Sequence, residues 1–162
     1  MTREQFKYLF DKHFDSVRNY IYYRSGDAEM ATDIAQDAFM KIWEKQPAAD
    51  QDNLAGLLFK IAGDQFINQY RRQKVMTKFR LSSKPETSTG SPEEQMVFEE
   101  TKDRYESALA ILPENQRTVF LMSRMEQLKY HEIADHLGLS VKAVEKRMTL
   151  ALASLRQAIG EK

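Results

Sequence analysis

Apolar residues in this chain recur at intervals of three and four from one end to the other, and that spacing restricts the fold more than any other feature. Phe6, Leu9, Phe10, Phe14, Val17, Tyr20 and Ile21 trace the stripe of a helix that faces a core. Ser25-Gly26-Asp27 interrupts it. A second helix carries Ile34, Ala35, Ala38, Phe39, Ile42 and Trp43 on one face and stops before Pro47, which cannot continue it. A third is expected to start with Asn53 as N-cap and to run through Leu54, Leu57, Leu58, Ile61 and Ile67 into a basic stretch. No apolar–polar alternation bounded by hairpin turns occurs, so the expected fold class is all-α.

Residues 81–92, LSSKPETSTGSP, are rich in Ser, Thr and Pro and hold a single apolar residue. That is linker composition, and twelve extended residues reach about 40 Å. Ser91-Pro92-Glu93-Glu94 then restarts a helix, with a hydroxyl at the cap and Pro at the first helical position. The expected architecture is two small helical domains, 1–80 and 93–162, joined by a flexible linker at 81–92.

The second domain ends in the pattern of a helix-turn-helix. Tyr130–Leu137 makes a short helix with Ile133, Ala134 and Leu137 inward. Gly138 supplies a left-handed turn, Leu139 a staple and Ser140 the cap of a last helix. In that helix Val144, Met148, Ala151, Leu152, Leu155 and Ile159 share the inward face, which leaves Lys142, Lys146 and Arg147 outward in the first two turns. The N-terminal end of such a helix suits a major groove, where Lys and Arg meet guanine acceptors and phosphates. The same pattern also describes a helical hairpin with a solvated basic face.

The formal charge is zero, 24 bases against 24 acids, which taken whole argues against a nucleic-acid partner. Resolved by position, the zero is a cancellation. Residues 27–52 carry seven acids and two bases, whereas residues 65–85 carry six bases and no acid. Residues 140–162 carry five bases and two acids. Phe59, Phe66 and Tyr70 stand just before Arg71-Arg72-Gln73-Lys74; aromatics beside cations fit single-stranded nucleic acid, while aromatics at helical spacing more often belong to a core. The acidic helix around Asp33, Gln36 and Asp37 reads either as a solvated face or as a docking surface for a basic partner.

Little else carries chemistry. The chain has no Cys, which removes disulfides and thiolate sites and suits a reducing cytoplasm. The first residues, MTREQFKYLFDKHF, hold no signal-peptide core, and no stretch approaches a membrane span, so no membrane insertion is expected. In HEIADH, His131 and His136 are five apart, off the one-face spacing of helical zinc motifs. Neither a metal, a cofactor nor an enzymatic activity is expected.

Two longer stretches carry a family resemblance. LPENQRTVFLMSRMEQLKYHEIADHLGLSVKAVEKRMTLALASLR resembles the fourth region of bacterial sigma-70-type RNA polymerase sigma factors of the extracytoplasmic-function group. It carries Leu112-Pro113-Glu114, Arg117, Phe120, Tyr130, Glu132-Ile133-Ala134, Leu137-Gly138, Ser140 and Val144. ATDIAQDAFMKIWE and LLFKIAGDQFINQYRRQK resemble the family's second region, and the order of the two regions is that of this group.

The resemblance implies a non-catalytic factor that directs core RNA polymerase to promoter DNA and helps open it. It implies that Asp33, Gln36, Asp37 and Phe39 contact the polymerase. It implies that Phe59, Ile61, Asp64, Asn68, Tyr70, Arg71, Arg72 and Lys74 line the melting and minus-ten surface. Ser140, Lys142, Ala143, Lys146 and Arg147 would face the minus-35 element. It further implies an anti-sigma protein as a partner. One departure stands out: many members carry Ala-Arg-Asn where this chain has Ala62-Gly63-Asp64, which removes a cation and an amide donor from the base-reading surface. From the residues alone, a stand-alone helix-turn-helix regulator with a dimerising or sensing N-terminal half, or a helical protein-binding adaptor, fits the same pattern.

Overall fold

In the computed structural model, residues 1–73 and 92–160 are described. They form seven helices and, among the described residues, no strand: α1 (Arg3–Ser25), α2 (Ala28–Lys45), α3 (Gln51–Gln73), α4 (Pro92–Ile111), α5 (Glu114–Glu126), α6 (Tyr130–Leu137) and α7 (Val141–Ala158). Of the expected linker, all but Pro92 lies outside the described residues.

Several helix boundaries have a local cause. Thr2 and Gln5 form a reciprocal capping box at the start of α1, and Gly26 ends it in the left-handed region with φ of 69°. Asp27 caps α2 by accepting the Met30 N–H. The start of α3 differs from the sequence expectation. The cap is Asp50, whose Oδ1 accepts the Asn53 N–H at 2.9 Å, so Asn53 donates inside the first turn rather than accepting at its edge. Gly138, with φ of 67°, ends α6, and the Ser140 hydroxyl accepts the Ala143 N–H at 3.1 Å to begin α7.

Helices α1, α2 and α3 pack on one another around buried rings. Phe39 of α2 is 1 % exposed and meets Phe10 edge-on at 5.1 Å, with Phe6 and Phe14 beside it. A fully buried side chain of this size contributes roughly 1.5–3 kcal/mol through apolar burial. The second layer buries Leu109, Val119, Leu121, Met122, Ile133, Val144, Met148, Ala151 and Leu155 between α4, α5, α6 and α7. The two layers also touch each other, α1 along α5 and α3 along α6.

Candidate functional site

Three surfaces carry the residues singled out by the sequence, and the helical geometry sorts them differently from their order in the chain. On α2, Asp33, Gln36 and Asp37 are exposed. With Asp27, Glu29, Met30 and Gln69 they line an open depression of about 510 Å³. Asp37 is held by Gln65 of α3, whose Nε2 donates to Oδ2 at 2.8 Å. Of these carboxylates, Asp27 at the cap and Glu29 in the first turn lie where the helix dipole favours negative charge. The result is an anionic concavity suited to a basic surface. Phe39 does not belong to it. Its ring is buried against Phe10, so in this structure it is core and supports the face from beneath.

On α3 the 3.6-residue repeat divides the expected DNA-contacting residues in two. Phe59, with Ala62, Gly63 and Phe66, is buried. Asp64 and Asn68, with Lys60, form an exposed row at four-residue spacing, and Ile61 is half-buried. Tyr70, Arg71 and Arg72 continue on the same helix, and Lys74 lies outside the described residues. Phe59 does not face solvent at all. Its ring packs at 5.5 Å from Tyr20 of α1 and at 4.4 Å from His136 of α6.

On α7, Ser140, Lys142 and Lys146 are exposed and Ala143 is half-buried, so two cations stand outward in the first two turns. Arg147 departs from this row. It is half-buried and lines a cleft of about 210 Å³ with Tyr20, Arg24, Glu114, Asn115, Thr118, Leu137 and Leu139.

That cleft contains polar chemistry with no periodic signature. Arg24, in the last turn of α1, donates from Nε and Nη2 to the two carboxylate oxygens of Glu114 at 2.7 and 2.8 Å, a bidentate pair. Its Nη1 donates to the Tyr20 hydroxyl at 2.8 Å, and the guanidinium lies 4.6 Å from the Phe66 ring centre. Burial works against the Arg24 charge, and Glu114 and Tyr20 together more than offset it, so its pKa is raised. Burial pushes the Tyr20 hydroxyl up. Beside them Arg117 of α5, 6 % exposed, donates to the carbonyls of Tyr23 at 2.7 Å and Arg24 at 2.6 Å, closing the end of α1 from the other layer. It also reaches the Leu109, Ala110 and Leu112 carbonyls at the end of α4. Asn19 of α1 donates to Glu126 of α5 at 2.9 Å. Among the described residues no group of three His, Asp or Glu side chains is placed to hold a metal ion.

Residues 9–75 match the family model described as Sigma-70 region 2, and residues 102–155 match Sigma-70, region 4; between them the two matches span most of the chain, in that order. The chain is 28 % identical over 160 residues to the RNA polymerase sigma factor YlaC of Bacillus subtilis, covering 96 % of this chain and 92 % of that protein. It is 29 % identical over 149 residues to the ferric citrate uptake sigma factor FecI of Escherichia coli, covering 91 % and 86 %. It is 28 % identical over 156 residues to the ECF RNA polymerase sigma factor RpoE of Cereibacter sphaeroides, covering 94 % and 84 %. Among solved structures, the sigma factor RpoE crystallised with the anti-sigma factor NepR from Bartonella quintana has the same fold, with a TM-score of 0.62 at 19 % identity over 97 % of this chain and 98 % of that one. The chain belongs to the sigma-70 family of RNA polymerase sigma factors, alongside members of its ECF group.

Proposed function

We propose that this protein is a transcription-initiation factor that brings core RNA polymerase to promoters and assists in opening them, without catalytic activity of its own. The observation that carries this reading is the succession of sigma-70 regions 2 and 4 on one chain. The domain organisation follows: 1–80 as the region 2 half, 81–92 as linker and 93–162 as the region 4 half. The anionic concavity of α2, with Asp33, Gln36 and Asp37, docks on a basic surface of the polymerase. The exposed Lys142 and Lys146 of α7, with the Ser140 helix start, bind the minus-35 duplex. The outer row of α3, Asp64 and Asn68 leading to Tyr70, Arg71 and Arg72, meets the strand exposed at the minus-ten element.

Unstacking bases costs a few kcal/mol per step, which stacking and phosphate contacts offset. With zero formal charge, the chain draws little sequence-independent affinity from phosphates and depends on the polymerase to hold it to DNA. No helix among the described residues is long and apolar enough to cross a membrane. The cytoplasm, where polymerase works, is its place, and an anti-sigma protein that covers the docking surfaces is its regulator. Co-purification tests the reading: core polymerase is retained by the wild-type chain and lost with Asp33→Arg. Tight binding of a palindromic duplex by a dimer of the chain, without polymerase, would favour the stand-alone regulator instead.

A further inference from the structure

Two arginines face the cleft of about 210 Å³ at the seam between the layers, and they differ in what engages them. Arg24 is saturated: the two Glu114 oxygens and the Tyr20 hydroxyl accept its N–H groups, and its charge is cancelled by the carboxylate. Arg147 of α7 is half-buried, and among the described residues no hydrogen bond or ion pair engages its guanidinium. Its charge reaches into the cleft, because the Tyr20 hydroxyl feels it. Burial raises the pKa of that hydroxyl, and Arg24 and then Arg147 pull it back. A guanidinium that has lost part of its hydration and found no acceptor is a cation that an anion would stabilise.

The groups around it are donors. Tyr20 is 7 % exposed, its oxygen accepts from Nη1 of Arg24, and its own O–H proton has no acceptor among the described residues. Gly63 leaves room for that hydroxyl, since a Cβ there would stand 3.0 Å from it. The exposed Asn115 side chain lines the same cleft and offers two more N–H donors. Glu114 is the one acid in the lining. Arg24 takes both of its oxygens, and it stands in the first turn of α5, where the helix dipole offsets negative charge. Two arginines against one glutamate leave the lining net positive. Leu137 and Leu139 supply an apolar wall. The volume equals that of about seven waters, room for a phosphate group on a short carrier.

We infer that this cleft is a binding site for a small phosphate-bearing anion, held by the planar fork of Arg147, the Tyr20 hydroxyl and the Asn115 amide. A phosphate suits the donors better than a carboxylate does. The fork takes two oxygens, and a third remains for the hydroxyl and the amide. Because α1, α5 and α7 each contribute a donor, occupancy stabilises the whole fold by mass action. The site stands independently of the proposed function.

Calorimetric titration of the full chain with inorganic phosphate and, separately, with glycerol 3-phosphate tests the site at constant ionic strength, with chloride as the reference anion. One phosphate group per chain is expected, together with a raised unfolding midpoint that chloride does not reproduce. The tighter of the two probes tells a free phosphate from a phosphate ester as the source. Arg147→Gln is expected to weaken phosphate binding about ten-fold or more, and Tyr20→Phe by a smaller factor. Arg156→Gln removes an exposed cation farther along the same helix and leaves the affinity unchanged. Circular dichroism checks that every variant stays helical. Equal effects of phosphate and chloride on the wild type overturn the site. Unchanged phosphate affinity in folded Arg147→Gln overturns it as well, and loss of binding in Lys146→Gln alone would place the anion on the outward row instead.

Discussion

The imidazole of His136 on α6 lies 4.4 Å, centre to centre, from the ring of Phe59 on α3, so a titratable group of one layer is packed on an aromatic ring of the other. Its Nδ1 lies 3.0 Å from the Glu132 carbonyl within α6.

This placement fixes a pH dependence. Burial lowers the His136 pKa below its ordinary value; Asp135 and Glu132 push it up and His13 of α1 pushes it down, without reversing the effect. The folded state therefore favours the neutral ring. Above about pH 6.5 both folded and unfolded chains carry it neutral and nothing is lost. As the pH falls through that ordinary value the unfolded chain takes up the proton first, and stability declines until the folded pKa is passed. Urea titrations between pH 7.5 and 5 are expected to show this decline in the wild type and a smaller one in His136→Phe. Equal slopes in the two proteins would remove His136 as the cause.

Arg117 joins the ends of two helices by donating to five backbone carbonyls. Substituting Ala takes its donors from these carbonyls, of which that of Leu109 keeps the Leu112 N–H at 3.2 Å, and Lys offers no planar fork to reach them together. Arg117→Ala is expected to lower unfolding free energy by about 2–4 kcal/mol, and Arg117→Lys by nearly as much, in denaturant unfolding. A loss below about 0.5 kcal/mol would place the seam among ordinary surface contacts.

Asp27 is a test of local design, since its carboxylate accepts the Met30 N–H at 3.1 Å and opens the helix that bears the acidic face. Asp27→Ala is expected to cost about 1 kcal/mol, and Asp27→Asn a fraction of that, because Asn caps as well. Thermal unfolding of the pair distinguishes capping from the loss of charge.

Phe39 and Asp33 separate support from contact on one helix. Phe39→Leu keeps an apolar side chain in the core and is expected to reduce stability while retaining polymerase binding by the folded fraction. Asp33→Arg reverses a charge on the exposed face and is expected to leave the unfolding midpoint within a degree or two while abolishing binding. Loss of binding in folded Phe39→Leu would return that ring to the contact surface.

The elements themselves were readable because each rests on a local rule. Gly26, Pro47 and Gly138 stop helices where φ or a missing N–H demands it, and the stripe from Phe6 to Ile21 faces the core as its spacing requires. Asn53 misled because Asp50, three residues earlier, offers a better acceptor to the same turn. The acidic row of α2 and the outward Lys142 and Lys146 also follow from spacing, which separates the faces of one helix. What a face meets is a property of the whole fold. Phe59 sits at a helical interval that favours a core without excluding a stacking platform, and the arrival of Tyr20 and His136 decides. Arg147 is one position from Lys146 and reads as part of the same basic patch, yet a turn of about 100° carries it into the cleft. Arg24 lies 90 residues from Glu114 and 93 from Arg117, and no periodicity joins it to them.

Run-off transcription tests the central claim most directly. Purified core polymerase and this chain are incubated with promoter fragments pooled from the source genome, and the transcripts are mapped. Discrete transcripts are expected only when both proteins are present, reduced by Lys146→Ala at the promoter-binding step with polymerase binding intact, and absent with Asp33→Arg. Transcription no greater than that of core polymerase alone, with a folded wild-type chain, would contradict the account.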